Sequence, residues 1–340
     1  MRLLDALTWP HGPARYLEAV APSQRTSLGE VRAEVTAVRR QTADTVTLCL
    51  RADRSWAGFQ AGQHVLLTVE IDGRRHTRCF SLAGPDGAGR RLELTMKAHP
   101  TSTVSRWLRE HAAPGLVVGL SQAQGDFALA VDSDEARPIV LLSGGSGVTP
   151  VLSMLRSLCA AGHRGPVTYV HFARSADDVL YEAEARELAE SHPNVRVDVR
   201  VDLFDGIAPG WSDADTYLCG PAGFMDAVTD AYEAAGALER LHVERFTLAP
   251  ATAATTAGGS LRFATAGRTV ESDGRSILEQ AEAAGLAPAS GCRMGICATC
   301  TRTLESGCVT DLRTGTVTDR PGTPVRICVS APAGDATVDL

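Results

Sequence analysis

The placement of the cysteines constrains this chain more than any other feature. Nine occur in 340 residues, and five of them (Cys292, Cys297, Cys300, Cys308 and Cys328) fall in the last 50. No apolar run reaches the roughly 18 residues that a membrane span needs. The apolar stretch at the N-terminus is too short for a signal peptide. The expected compartment is therefore the cytoplasm, with at most transient contact at the inner face of the membrane. In such a reducing compartment, clustered cysteines bind metal or do redox chemistry more often than they form disulfides. Three of the five sit in Ser290-Gly291-Cys292-Arg293-Met294-Gly295-Ile296-Cys297-Ala298-Thr299-Cys300, a C-x4-C-x2-C spacing, and Cys328 follows after a gap of 27 residues.

That spacing suits a [2Fe–2S] cluster of the plant type. Each of two irons needs two terminal thiolates beside the bridging sulfides, and a tight loop delivers three of the four. The small residues Gly291, Gly295, Ala298 and Thr299 let the backbone wrap closely and aim N–H groups at the sulfurs. The expected ligands are Cys292, Cys297, Cys300 and Cys328. A zinc site and free buried thiols are the alternatives. Zinc sites usually pair two short C-x2–4-C hooks, and here the second hook is a lone cysteine. Cys308 is the rival fourth ligand, disfavoured because Glu305-Ser306-Gly307-Cys308 reads as a turn close to Cys300. Cys49 and Cys159 read as buried small hydrophobes.

The length exceeds one ordinary domain of about 100–200 residues. Apolar content of 44% and charged content of 21% are those of a globular protein. A net charge of −7 argues against nucleic acid as a partner. Residues 1–30, with Pro10, Pro13 and Pro22, read as a lead-in with one helix near 14–20. Near-alternating apolar residues at 31–39, 45–51, 64–71 and 92–97 predict short strands, with an amphipathic stretch at 104–111. That pattern suggests a small antiparallel β-barrel over 31–132. Apolar runs at 139–142, 167–172, 195–201 and 216–218 alternate with helical stretches at 151–161, 181–191 and 224–235. This predicts an α/β domain with a parallel sheet over 133–248. Residues 249–259 are uncharged and aperiodic, and read as a linker. Residues 260–340 then carry a hairpin at 261–270, a helix at 276–284 and the cysteine loop, an α+β unit.

Four further segments stand out. Gly62-Gln63-His64-Val65 leads into a predicted strand, and Arg78-Cys79-Phe80-Ser81 follows it. Ser102-Thr103-Val104-Ser105 opens the amphipathic stretch, where helix N–H groups can bind phosphate; simple helix capping is the alternative. Lys97, just before it, is either a solvated charge or a phosphate partner. Gly144-Gly145-Ser146-Gly147-Val148-Thr149-Pro150 joins an apolar run to a helix, where glycines let the backbone approach a pyrophosphate. Cys219-Gly220-Pro221-Ala222-Gly223-Phe224-Met225 ends the fourth apolar run of the α/β domain.

Taken together, these segments resemble the ferredoxin–NADP reductase superfamily, in the branch that serves oxygenases and carries a plant-type ferredoxin of β-grasp fold at its C-terminus. The resemblance covers about residues 30–340. It implies that Arg78, Cys79, Phe80 and Ser81 form the R-x-Y/F-S flavin motif, with Arg78 on the pyrophosphate, Phe80 on the ring and Ser81 near flavin N5. His64 would belong to the leading G-Q-Y/F segment. Lys97, Ser102, Val104 and Ser105 would hold a flavin phosphate, although the family usually has Gly where Ser102 stands. Gly144, Gly145, Gly147, Thr149 and Pro150 match G-x-G-x-T-P for the nicotinamide pyrophosphate. Cys219 and Gly220 match C-G-P-x-x-F-M, which sets Cys219 against the nicotinamide. Phe246, after Glu244 and Arg245, would cover the flavin until the nicotinamide displaces it. Arg174 and Ser175 stand where the adenosine ribose is read and favour NADPH over NADH. The implied activity is electron transfer from NADPH to FAD, then to [2Fe–2S], then to an oxygenase or desaturase. A short N-terminal likeness to desaturase and alkane hydroxylase reductases favours a di-iron membrane enzyme, with Rieske oxygenases and cytochromes P450 as the others. The rival reading is a redox sensor or ferredoxin-like carrier without reductase turnover.

Overall fold

Buried residues recur at alternate positions at 31–35 and 65–69 and set which face of those strands turns inward, whereas 45–48 are buried throughout. The computed structural model describes residues 30–100, 102–130, 137–201, 206–207, 209–246, 258–295 and 298–340. The lead-in with its expected helix, nearly all of the linker, and Cys297 lie outside these residues.

The first body holds strands β1 (Val31–Arg40), β2 (Thr45–Ala52), β3 (His64–Ile71), β4 (Arg74–Ser81), β5 (Arg91–Lys97) and β6 (Val117–Leu120). They form one antiparallel sheet in the order β4-β3-β6-β1-β2-β5. Its two edge strands approach each other where Leu82, just past β4, bridges to Leu94 on β5. The sheet thus curls toward the expected barrel. Helix α1 (Val104–His111) presses Val104 and Leu108 into the enclosed core beside Val35, Leu48, Leu67 and Leu120. Fully burying such a side chain contributes about 1.5–3 kcal/mol.

Strand β4 is absent from the periodicity reading. Its first five residues, Arg74-Arg75-His76-Thr77-Arg78, are polar, the first two exposed and the next three half-buried, on a sheet edge. Asp72 and Gly73, with φ of 50° and 74°, make a two-residue turn that sets Ile71 opposite Arg74. Asp-Gly is a strong hairpin signal. The Arg78–Ser81 motif therefore lies at the end of its own strand.

The second body alternates β7 (Ile139–Gly144), α2 (Val148–Ala160), β8 (Val167–Ala173), α3 (Glu182–Ser191), β9 (Val195–Val201), β10 (Asp215–Cys219), α4 (Ala222–Ala234) and β11 (Leu241–Glu244). The sheet is parallel throughout, in the order β11-β10-β7-β8-β9. One face packs on α2 and α3, and the other on α4. Strand β7 is buried along its whole length, as a central parallel strand should be. The strand order reverses between β7 and β10. Crevices at such reversals, beyond the carboxyl ends of the strands, are where open α/β sheets bind ligands.

The third body pairs β12 (Ser260–Phe263) with β13 (Arg268–Glu271), sets β12 parallel to β17 (Ser330–Val338), and adds β14 (Thr301–Asp311), β15 (Val317–Thr318) and β16 (Pro324–Arg326). Helix α5 (Ile277–Ala283) buries Ile277, Leu278 and Ala281 against Phe263, Leu304 and Val338. Ser276 and Glu279 cap it reciprocally, as a capping box does. The segment around Cys308 is not a turn. It lies inside β14, which is bulged near Ser306 and again near Cys308. The Gly and Ser that suggested a turn mark the bulge: a Cβ on Gly307 (φ 82°) would stand 1.9 Å from the Asp335 carbonyl oxygen.

Candidate functional site

The reversal point is built by glycines. A Cβ on Gly147 would meet the Cys219 carbonyl oxygen at 2.2 Å and the Gly220 nitrogen at 2.7 Å. One on Gly144 would meet the Pro221 ring at 2.9 Å, and one on Gly220 would meet Phe224 at 2.7 Å. These three glycines let the turn after β7 lie directly on the turn after β10. Gly145 differs: its φ is +53° and nothing stands within 4 Å of a Cβ there. It faces open space at the start of α2, where no side chain caps the helix. Thr149 donates to the Ser146 carbonyl at 3.2 Å, bracing the turn, and Pro150 occupies the first helical turn. Proline is tolerated there because its missing N–H has no helical partner to lose.

Four polar residues converge on the seam between the first two bodies. His64 and Ser81 are opposite partners on β3 and β4. Cys219 and Glu244 are partners on β10 and β11. His64 Nδ1 and Glu244 Oε1 are 3.4 Å apart, joining the two pairs across the seam. Gly125 backs onto the imidazole; a Cβ there would stand 2.8 Å from it. Ser81 Oγ, both His64 ring nitrogens and Glu244 Oε2 are buried without a hydrogen-bond partner among the described residues. Leaving such groups unmade costs about 1–3 kcal/mol each, so their grouping fits a polar ligand edge. Burial, reinforced by Glu244, pushes the Cys219 thiol well above its ordinary range. It stays protonated and is a poor nucleophile. Phe246 packs on the apolar cluster that contains Cys219, Ala61 and Phe127.

Phe80 is partly buried against the first core, and Cys79 is half-buried opposite Leu66. Arg78 Nη1 donates to the Thr77 carbonyl at 2.8 Å and to the Gly291 carbonyl at 2.9 Å. Gly291 adjoins Cys292, so the motif arginine touches the cysteine loop, a link that no sequence signal announces. Neither Ser102, before α1, nor Ser105, inside its first turn, caps it. Thr103 is the N-cap and makes no side-chain cap bond, while Ser102 and Ser105 bond each other at 2.5 Å. Val104 is the buried first residue of the helix. Lys97 is held by Asp178 at 2.9 Å and Asp44 at 3.1 Å. Arg174 and Ser175 are exposed just past β8, and Ser175 Oγ donates to Asp178 at 3.1 Å.

The cysteine loop is strained in a way that suits its chemistry. Arg293, Gly295 and Ala298 all have positive φ, at 61°, 71° and 55°. Non-glycine residues in that region cost energy and cluster at functional sites. Successive inward-turned N–H groups make a concavity for negative charge. Met294 N–H points at Cys292 Sγ at 3.4 Å. Cys300 and Cys328 are buried with their sulfurs 3.1 Å apart, and Gly295 offers a backbone hydrogen bond to Cys328. Cys308 instead donates to the Ala333 carbonyl at 3.4 Å. Cys292, Cys300 and Cys328 are thus buried at the loop, a donor set whose sulfur chemistry fits an iron–sulfur cluster.

Three family models match consecutive stretches: the oxidoreductase FAD-binding domain at 32–129, the oxidoreductase NAD-binding domain at 141–230, and the 2Fe-2S iron-sulfur cluster binding domain at 263–333. The chain is 37% identical over 354 residues to an NADPH oxidoreductase of Mycobacterium tuberculosis, covering 100% of this chain and 91% of the relative. It is 28% identical to the glycine betaine monooxygenase reductase subunit of Pseudomonas aeruginosa, covering 89% and 93%. Among solved structures it is similar to phthalate dioxygenase reductase, with a TM-score of 0.63, 25% identity, and coverage of 92% and 98%. The chain belongs to the ferredoxin–NADP reductase superfamily, in the branch that joins flavin, nicotinamide and C-terminal [2Fe–2S] domains. It is an NAD(P)H-dependent oxidoreductase of the ferredoxin reductase type, with FAD, a [2Fe–2S] cluster and a nicotinamide nucleotide as cofactors.

The two kinds of glycine make a test. Gly147→Ala forces an atom into the Cys219 carbonyl and should cost about 1–3 kcal/mol. Gly145→Ala meets only backbone strain and should cost about 1 kcal/mol. Thermal unfolding followed by circular dichroism ranks them; equal shifts would refute this division of roles.

Proposed function

We propose that this chain takes hydride from NADPH and delivers single electrons to an oxygenase. The observation that carries the reading is the set of buried polar atoms on Ser81, His64 and Glu244 that make no hydrogen bond among the described residues, gathered beside Cys219 where the strand order reverses. Bound FAD supplies the exchange between a two-electron donor and one-electron acceptors, and the cluster carries the electrons singly.

The protein's own groups position and exclude. Arg78 and the uncapped start of α1 hold the flavin phosphates. Gly145 and the start of α2 receive the nicotinamide pyrophosphate. Ser81 and the neutral Cys219 thiol border the reacting ring edges, and the Phe246 ring covers the site between turnovers. Cys292, Cys297, Cys300 and Cys328 hold the cluster, the pairing of Cys300 with Cys328 supporting this set over one with Cys308. NADPH-driven cytochrome c reduction should disappear in Cys328→Ser while flavin absorbance is retained. Cys308→Ser should keep both the cluster absorption bands and the activity. Loss of the bands in Cys308→Ser, with Cys328→Ser intact, would reverse the assignment.

Coenzyme choice follows from charge. An acidic residue at the ribose position favours NAD, and a cation there favours the 2′-phosphate of NADP. Asp178 is taken up by Lys97 and Ser175, which leaves the exposed Arg174 to face the phosphate. Arg174→Asp should lower kcat/KM for NADPH by about tenfold or more, the loss of a charged hydrogen bond being about 1.5–3 kcal/mol, and leave that for NADH nearly unchanged. An unaltered NADPH/NADH ratio would refute this role.

The acceptor is an oxygenase, as the names of the relatives suggest for those proteins. The N-terminal segment favours a di-iron desaturase or hydroxylase in a membrane. No helix among the described residues is long and apolar enough to span one. Affinity capture of the reductase with its native partner, followed by metal and haem analysis, should recover a di-iron protein. Recovery of a Rieske or haem partner would overturn that choice.

A further inference from the structure

Away from the cysteine loop and the hydride site, the most densely bonded polar group on the seam is Arg156. It lies on α2, nine residues past Gly147, and its side chain is 10% exposed. Its guanidinium spans the two bodies. Nε and Nη2 grip both oxygens of Glu184, in its own body, at 2.6 and 2.7 Å. Nη1 reaches into the first body, to Glu93 Oε1 at 2.9 Å and the Ala83 carbonyl at 2.6 Å. Ala83 follows Ser81 by two residues.

The contacts continue along one face of the helix. Ser153, one turn earlier, donates to the Gly84 carbonyl at 2.5 Å. Ser157 Oγ accepts from the Asp86 N–H at 3.0 Å. Residues spaced by three and four share a helix face, so 153, 156 and 157 form one docking edge against 83–86. Glu93 is itself fixed, by Arg39 and by the Tyr181 hydroxyl, which donates to it at 3.0 Å. That hydroxyl also meets Thr47 at 3.0 Å and bonds Thr95, while the Tyr181 ring lies 5.2 Å from the Arg156 guanidinium carbon. Tyr181 has φ 60°, a region that an aromatic residue enters only when its surroundings hold it there.

We propose that Arg156 is a positioning residue for hydride transfer. It sets the helix whose start receives the nicotinamide nucleotide against the loop that follows the flavin motif, and so fixes donor and acceptor at contact distance. The inference rests on the reading above that hydride crosses this seam. A fork is required. Arginine can bond two carboxylates and a carbonyl at once, whereas lysine offers a point charge with no planar fork.

The test uses the holoprotein and two variants, Arg156→Lys and Tyr181→Phe. Stopped-flow reduction of the flavin by NADPH, with and without deuterium at C4, reads the hydride step. The long-wavelength charge-transfer absorbance of the reduced flavin with NADP+ reads ring stacking without turnover. Arg156→Lys should retain flavin and cluster absorbance and an NADPH KM within about twofold of wild type, while flavin reduction slows about tenfold or more, since a misplacement of about 1 Å can cost a hundredfold. Its charge-transfer band should weaken. Tyr181→Phe, which removes only a hydroxyl, should move both readouts the same way by less. Unchanged reduction rates and an unchanged band in both variants, with only a lower Tm, would make the cluster merely structural and overturn the proposal. If wild-type flavin is not reduced by NADPH, the reading of the seam itself falls.

Discussion

A hydride crosses only between atoms held about 3–3.5 Å apart, and this chain must meet that tolerance between two separately packed bodies. Each has its own apolar core, one enclosed by an antiparallel sheet and one lying on the two faces of a parallel sheet. Apolar packing is nondirectional and cannot set a gap between bodies to that accuracy. Directional bonds can. The seam accordingly carries the fork of Arg156, the Ser153 and Ser157 bonds, and the Lys97–Asp178 pair. It also carries apolar continuity, since Ala61 and Phe127 from the first body pack within the α2 side of the second. The burial brings the bodies together; the bonds choose the register.

The reversal point depends on the opposite property, the absence of side chains. Gly144, Gly147 and Gly220 have atoms of the facing turn where a Cβ would be. Their role is to seat one turn on the other, and the open position is Gly145. A Gly-rich motif read only as a phosphate cradle misses this. The sequence shows four glycine-bearing positions of the same kind, and only the fold separates the three that pack from the one that faces solvent. The Cys219 thiol is similar. Its flanking residues mark it out, but its chemical state comes from complete burial beside Glu244, a partner on a neighbouring strand.

What was legible in the residues was therefore what is local. Strands at 31–40, 45–52 and 64–71, the helix at 104–111 and the βαβ alternation all carry their own period, and each appears close to its expected place. Strand β4 was not legible because its polar edge residues have no apolar alternation, although Asp72-Gly73 advertised the hairpin. Strand β14 was misread at its bulge, where Ser306 and Gly307 resemble a turn. The clamp could not be seen at all: Arg156, Glu93 and Glu184 are ordinary charged residues, and the bonds from Arg156 to the first body span 63 and 73 positions.

The cysteine loop answers a different demand. An electron can pass between centres at separations that no hydride could bridge, so the third body does not need a clamp of the same density. What the loop needs is an enclosed, N–H-lined place for sulfur, and it accepts backbone strain at Arg293 and Ala298 to make one. Its tie to the first body runs through Arg78, whose guanidinium meets the Gly291 carbonyl one residue before Cys292. The arginine that the family motif assigns to the flavin phosphate thus also touches the backbone that presents a cluster cysteine. One planar fork can serve both because it has five N–H donors in fixed directions. A lysine at that position would offer one charge centre in place of a fork, and would have to choose between the two.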